Sequence, residues 1–503
     1  MSQGYLLIGL GQKYIVENYH LVRTLRMQGE TRPVSILVHK QDEEMAKNFK
    51  VFDDVVIFQP DINDSVYLDC QNDFERNCVY IRLNLEKYST YDETINLDSD
   101  VLCQYSPNKI WDYMKENKFS VANMGNKVAD PNWHWGESNN ISKLLGKTIP
   151  SMHCGLTYVK KGEFADKFFE SAREVFLNYD NYGCKRFFRG ARTEEGIFAI
   201  VYAKLGILPI GYTEFPIMSF NYDGDEVIPS NKQILLDENN RVFEHDSYVP
   251  FIHMFEKMEG KNYQKLYYRI VKDSMFNVVL ITSSIGTTFG KVSIEDRYKQ
   301  TLKTIESVKK HIKNPFIIMN DISLVDAKEY LDDIKKKVNI LIESGDEKDD
   351  IDKLICKLSK PEYLASVNYD RSLPELFMLY KMLLCVTRNI NMLDLNRVFK
   401  ISGRYYLTDD FDMNDYSGTY GKYVFLKSPI QSYPVFECRF WSMCKTNVPD
   451  FMKLIDIMGK HLQNQGNNME HVFKRYIDPN NIIEFDKINV EGIMAFDGRD
   501  IKE

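Results

Sequence analysis

The sequence predicts a two-domain α/β protein, each domain built on a mostly parallel sheet with helices on its faces. Three observations predict it. Short apolar runs alternate with helix-period stripes from the first residues onward. The same strand–helix–strand opening starts again near residue 277. No Pro- or Ser-rich linker and no low-complexity segment interrupts the 503 residues. Alternation of this kind feeds helices back across a doubly wound sheet. Apolar residues make up 44% of the chain and charged residues 27%, which is enough apolar surface to offset chain entropy and excludes a disordered polymer.

Tyr5 to Leu10 (YLLIGL) is a buried strand, and Ile15, Tyr19, Val22 and Leu25 recur at helical spacing behind it. Gly29 and Pro33 end that helix. Val34 to Val38 (VSILV) is the second strand and Val55 to Phe58 the third. The segment from Ser89 to Leu102 carries a strand into an acidic turn. Phe164, Phe168, Ala172, Val175 and Phe176 mark an amphipathic helix. The run from Gly196 to Tyr212 reads as a core helix followed by a strand. That run contains Lys204 and Pro209 and is shorter than the roughly 20 residues of a membrane span. The charged, aromatic stretch from Glu256 to Asp273 is a helical connector, which sets domains at 1–272 and 273–503. In the second domain Asn277 to Thr282 is a strand, Tyr298, Leu302, Ile305, Val308 and Ile312 form a helical stripe, and Phe316 to Met319 is the next strand.

Lys plus Arg is 64 and Asp plus Glu is 72, a net charge of −8, so a general nucleic-acid coat is not expected. The nine cysteines include no C-x-x-C and no zinc spacing, and no basic-then-apolar leader opens the chain. Reduced thiols and a cytoplasmic location, in a microbial or viral-host cytosol, are the expectation. Gly286 to Lys291 has the wrong glycine spacing for a P-loop, and Tyr14 stands where a dinucleotide fingerprint needs glycine.

The chemistry-bearing motif is Asn96-Leu97-Asp98-Ser99-Asp100. Side chains at i and i+2 of an extended segment share a side, so Asp98 and Asp100 present two carboxylates together. Carboxyl ends of strands are where ligands bind in doubly wound folds. Such a pair repels itself unless a cation intervenes, and hard oxygen ligands suit Mg²⁺ or Mn²⁺. A solvated acidic loop or an Asx-turn is the alternative for a bare D-x-D.

From Arg82-Leu83 through Tyr88-Ser89-Thr90-Tyr91-Asp92 to Leu97-Asp98-Ser99-Asp100, the chain resembles nucleotide-sugar glycosyltransferases of the GT-A fold, in particular the glycogenin and galactinol synthase type. The resemblance spans roughly residues 4 to 260. It implies Asp98 and Asp100 as metal ligands, with Ser99 between them at the donor, and Arg82 in place of a family lysine near the donor. It implies His253 as third ligand, followed by a phosphate lysine at Lys257 or Lys261. It implies that Gly9, Leu10 and Tyr14 hold the nucleotide base, through backbone approach and ring stacking. The family's F-N-x-G-V element appears as Met152-His153-Cys154-Gly155-Leu156, with His153 in place of asparagine and Gly155 near the donor. The family's later acidic motif falls on Thr193-Glu194-Glu195, which implies a sugar-contacting or catalytic role for Glu194 and Glu195. A Thr N-cap with acids in the first turn also explains that triplet without catalysis.

The second domain holds Val398-Phe399-Lys400-Ile401-Ser402-Gly403-Arg404-Tyr405, a strand running into a polar, cationic turn. It resembles glycosyltransferase-like proteins with an F-K-I-S-G-R-Y element. Lys400 and Ser402 would hold a diphosphate, with Arg404 as the catalytic cation. Asp409, Asp410 and Asp412 are either a second acidic metal site or a solvated turn. The resemblance implies a metal-dependent glycosyltransferase, using a nucleoside-diphosphate sugar and a glycan or other hydroxyl acceptor, with two transferase domains. A sugar-phosphate nucleotidyltransferase and a non-catalytic carbohydrate-binding scaffold are the rivals.

Overall fold

The computed structural model describes the chain except residues 132–134, 188–189, 213, 222–232, 237–241, 246–248, 255–257, 259–260, 288–291, 324, 345–371, 417, 428–435, 466–468, 494–499 and 502–503. At some further positions inside helices and strands, Lys261 among them, only the backbone is described. The chain divides into two compact units, Met1–Asp273 and Ser274–Glu503, and both are mixed α/β.

In the first unit the strands are β1 (Gln3–Ile8), β2 (Val34–Val38), β3 (Asp54–Ile57), β4 (Glu93–Leu97), β5 (Val101–Cys103), β6 (Val121–Met124), β7 (His153–Lys160), β8 (Met218–Asn221), β9 (Gln233–Leu236), β10 (Val242–His245) and β11 (Phe251–Met254). The main sheet has the order β3-β2-β1-β4-β7-β6. β1, β2, β3 and β4 run parallel, while β7 is antiparallel to both β4 and β6. β1 and β2 are apolar at nearly every position because both faces of the sheet are covered. Tyr5, Leu7, Ile36 and Ile95 face the core that includes Ile15, Leu21, Val22 and Leu25 of the Gln12–Met27 helix. Leu6 and Leu37 face the opposite core, filled by Phe168, Phe169, Phe198 and Tyr202 from the Glu163–Leu177 and Glu194–Leu205 helices. The strand expected after Leu205 reduces to one bridge, between Ile210 and Met124.

β5 leaves the main sheet and pairs with β11, which pairs with β8. The turn from β4 into β5 is Asp98-Ser99-Asp100, at the carboxyl end of the central strand. In the β5–β11 register His253 lies opposite Val101, the residue after Asp100.

The second unit contains β12 (Phe276–Ser283), β13 (Pro315–Asp321), β14 (Ile340–Glu343), β15 (Leu395–Ser402), β16 (Tyr405–Leu407), β17 (Tyr423–Leu426), β18 (Glu437–Cys444), β19 (Ile482–Phe485), β20 (Val490–Ile493) and β21 (Asp500–Ile501). Its main sheet has the order β14-β13-β12-β15-β18-β17-β19, and β16, β20 and β21 form a small sheet beside it. The Ile294–His311 helix covers one face with Ile305 and Val308; the Ser372–Asn389 and Val448–Gln465 helices cover the other. Among the described residues no helix is long and apolar enough to cross a membrane. The eight cysteines within the described residues are free thiols.

Candidate metal centre

Three side chains meet where β4 hands over to β5. The ligand atoms of Asp98, Asp100 and His253 all lie within 4.8 Å of one another, and no other group of this kind occurs among the described residues. His253 Nε2 stands 2.9 Å from Asp100 Oδ1 and 3.8 Å from Asp98 Oδ2. His253 is buried, while Asp98 and Asp100 keep 20% and 16% of their side-chain surface, enough for a ligand to approach.

The acid pair is embedded in further charge. Arg82 bridges Asp98 through one terminal nitrogen and Glu194 through the other, and also reaches the carbonyl of Cys154 at 3.4 Å. Burial alone would lower the Arg82 pKa, but the charges of Asp98 and Glu194 raise it well above its ordinary value. Burial pushes the Glu194 carboxyl upward, opposed by Arg82. At His253 burial acts to lower the pKa, and the charge and hydrogen bond of Asp100 override it, so the imidazole is raised above its ordinary value. Two carboxylates about 4 Å apart repel by about 4 kcal/mol at an effective dielectric constant near 20. Arg82 offsets that repulsion from the Asp98 side, and the contact of His253 Nε2 with Asp100 Oδ1 from the other.

The surrounding contacts fix the turn. Ser99 Oγ donates to Glu17 Oε2 at 2.6 Å, and Glu17 is 1% exposed. The Asp98 N–H donates to the Gly155 carbonyl at 3.0 Å. A Cβ on Gly155 would lie 2.5 Å from His153 Cε1 and 3.4 Å from Asp98 Oδ2, so any side chain there would point into the acid site. His153 reaches His253 Nδ1 with its Nε2 at 3.2 Å. It accepts from the Gly155 N–H at 3.3 Å, and burial lowers its pKa to about 4. His153 therefore orients the candidate ligand His253.

Glu194 and Glu195 open the Glu194–Leu205 helix, with Thr193 as N-cap accepting from the Glu195 N–H at 3.3 Å. Glu194 is committed to Arg82. Glu195 accepts from Trp135 Nε1 at 2.6 Å and from the Cys154 N–H at 3.3 Å, tying β7 to the helix. Both acids support the site from within the fold. The loop before them is anchored by Arg192, whose guanidinium and N–H bind the fully buried Glu75 at 2.7 to 3.1 Å.

At the first turn, Gly9 donates to the Leu37 carbonyl at 2.8 Å, and its missing Cβ makes room for Ile36, whose Cδ1 would lie 2.6 Å away. Leu10 is buried in the core, so only its backbone faces outward chemistry. Tyr14 is 44% exposed on the first turn of its helix, which leaves its ring available for stacking. Lys257 and the side chain of Lys261 lie outside the described residues.

In the second unit Lys400 is buried, and its ammonium binds Glu375, Ser402 Oγ at 2.9 Å and the Cys438 carbonyl at 2.7 Å. Ser402 also donates to Glu375, at 3.4 Å. Arg404 is half-buried beside Tyr405. Asp409 pairs with Lys310 and His311 on the surface, which is the solvated-turn alternative rather than a metal site.

No protein-family model matches the chain, and no curated protein matches it in sequence. Solved structures do match. The galactosyltransferase LgtC in complex with donor and acceptor sugar analogs is 11% identical, over 54% of this chain and 96% of that chain, with a TM-score of 0.35. Mouse xyloside xylosyltransferase 1 is 10% identical, over 50% and 97%, with a TM-score of 0.34. The glycosyltransferase GlyE of Streptococcus pneumoniae TIGR4 is 9% identical, over 68% and 80%, with a TM-score of 0.28. Identities this low leave the assignment of function to the residues of the site.

Proposed function

We propose that the first unit is a metal-dependent glycosyltransferase that takes a sugar from a nucleoside-diphosphate sugar and passes it to a hydroxyl acceptor. The observation that carries this reading is the convergence of Asp98, Asp100 and His253 at the carboxyl end of β4. Two hard carboxylates and one imidazole fit Mn²⁺ or Mg²⁺, the imidazole favouring Mn²⁺. These three residues would hold the ion, which when bound supplies Lewis-acid stabilisation to the departing diphosphate.

The rest of the work falls to the chain itself. Arg82 holds Asp98 in place and limits the repulsion within the acid pair. Glu17 pins the turn through Ser99, so both aspartates keep one orientation. His153 orients His253, whose Nε2 would have to be free of its proton to hold a metal. Gly9 and the exposed ring of Tyr14 offer a backbone edge and a stacking face for the base of the donor. Fixed charges of this kind act at the departing group without reorganising, which is usually the largest catalytic contribution.

Turnover of a panel of sugar nucleotides, with Mn²⁺ and with chelator, tests the reading. The expected result is release of nucleoside diphosphate from at least one donor, dependent on the metal. Pyrophosphate release from a nucleoside triphosphate plus a sugar 1-phosphate, or no turnover of any donor, would contradict it.

A further inference from the structure

Six strands of the second unit's main sheet repeat the main sheet of the first, with β19 added at its edge. β14-β13-β12-β15-β18-β17 follows the order and directions of β3-β2-β1-β4-β7-β6, and β16 pairs antiparallel with β20 as β5 does with β11. A side-chain contact repeats as well. The N–H of Cys103, third residue of β5, donates to Thr24 Oγ1 of the helix after β1; the N–H of Leu407, third residue of β16, donates to Ser307 Oγ of the helix after β12.

These anchors align the two sites residue by residue. Val101 and Tyr405 each begin the short strand, so Asp100 corresponds to Arg404 and Asp98 to Ser402. His253 lies opposite Val101, and Gly492 lies opposite Tyr405. A Cβ on Gly492 would lie 2.4 Å from the Arg404 carbonyl oxygen, so no side chain fits where the first unit has its histidine. Leu97 pairs with Leu156 and Ile401 with Phe440, so Gly155 corresponds to Arg439. Counting back equally from Thr24 and Ser307 along their helices reaches Tyr14 and Arg297.

No candidate ligand of the first unit is kept in the second: arginine stands at the position of Asp100, and two neighbouring positions also carry arginine. The helix of Arg297 touches the turn before Arg404, since Thr301 Oγ1 bonds both the Arg297 carbonyl at 3.0 Å and the Gly403 carbonyl at 3.2 Å. Arg404 and Arg439 both sit over the Tyr405 ring, at 5.9 and 5.8 Å from its centroid. Arg297 is 6% exposed, and its pKa is lowered by burial and then by the charge of Arg404. Among the described residues Arg404 forms no ion pair. Guanidinium groups brought together without a carboxylate on Arg404 repel until an anion joins them, and their planar forks suit phosphate oxygens.

We propose that the second unit binds a diphosphate group on Arg297, Arg404 and Arg439 without a divalent cation. The fixed cations take the place the metal would have in the first unit. The idea that this sheet edge takes a diphosphate rests on the function proposed above, but the test does not depend on sugar transfer.

Isothermal titration of the full chain in excess EDTA, with UDP, GDP, ADP and inorganic pyrophosphate, reads the site directly. At least one of these is expected to bind with chelator present. Arg404→Gln and Arg439→Gln are each expected to weaken that binding at least tenfold, and Arg404→Lys to weaken it less. Tight binding of a nucleoside diphosphate over pyrophosphate identifies a nucleotide as the source, and the reverse identifies free pyrophosphate. Abolition of all binding by EDTA overturns the proposal. So does unchanged binding in both glutamine variants, whose thermal unfolding serves as the check that they are folded. A failure of donor turnover with EDTA-resistant binding intact would count against the transferase reading alone.

Discussion

Replacing Asp100 by alanine lowers metal-dependent sugar transfer by about a thousandfold while leaving the fold intact. The size follows from its position: it is one of two carboxylates at the candidate metal centre, and Lewis-acid stabilisation of a leaving diphosphate is worth several kcal/mol, of which about 4 kcal/mol is a factor of a thousand. The small effect on folding follows from its surroundings. Asp100 keeps 16% of its side-chain surface, and its carboxylate meets His253 Nε2 rather than the apolar core. Asp100→Asn separates charge from shape, because it keeps the volume and loses most of the metal affinity. Steady-state rates with saturating Mn²⁺, beside a thermal melt, check both halves. A rate within a fewfold of wild type would remove Asp100 from the site.

Glu75→Gln destabilises the first unit by about 3 kcal/mol at neutral pH, the lower end for breaking a buried pair. Glu75 is fully buried and takes three hydrogen bonds from Arg192 and one from the Gln71 N–H at 2.8 Å. Glutamine keeps the shape and leaves the Arg192 guanidinium, 3% exposed, with Asp69 as its one anionic partner among the described residues. Burial alone would raise the Glu75 pKa, but the hydrogen bonds from Arg192 and Gln71 hold it below its ordinary value. A carboxylate with a depressed pKa contributes stability that is complete above its unfolded-state pKa and is lost as pH falls through the folded one. The gap between wild type and Glu75→Gln therefore closes in acid, below the ordinary glutamate range. Urea unfolding, followed by hydrogen exchange at peptides of the first unit, measures it. Because Arg192 precedes Thr193, Glu194 and Glu195, the same variant also weakens transfer by loosening the support of Arg82.

The local half of this structure was legible in the sequence. Val34–Val38 is a strand with the bounds its apolar run predicts, and the D-x-D turn lies at a strand end as expected. What was hidden is non-local. Ser99 and Glu17, or Arg82 and Glu194, meet only because the sheet order places their elements side by side, and no spacing announces such pairs. The role of His153 was hidden for the same reason: it depends on β7 and β11 bringing two imidazoles to 3.2 Å. Lys400 reads as a phosphate ligand by residue type, yet its place inside the strand buries it against Glu375. The likeness of the two sheets leaves almost no trace in residue identity, since a strand constrains apolar period and length far more than side-chain chemistry. The strand expected after Leu205 fails because Pro209 cannot donate to a ladder.

The most direct measurement is a crystal of the full chain grown with Mn²⁺ and a nucleoside diphosphate, with anomalous scattering recorded for manganese. The account predicts a peak about 2.0 to 2.3 Å from carboxylate oxygens of Asp98 and Asp100 and from His253 Nε2, with the phosphates on its open side. A nucleotide bound in the first unit with no manganese at those three residues, and His253 still hydrogen-bonded to Asp100, would contradict it.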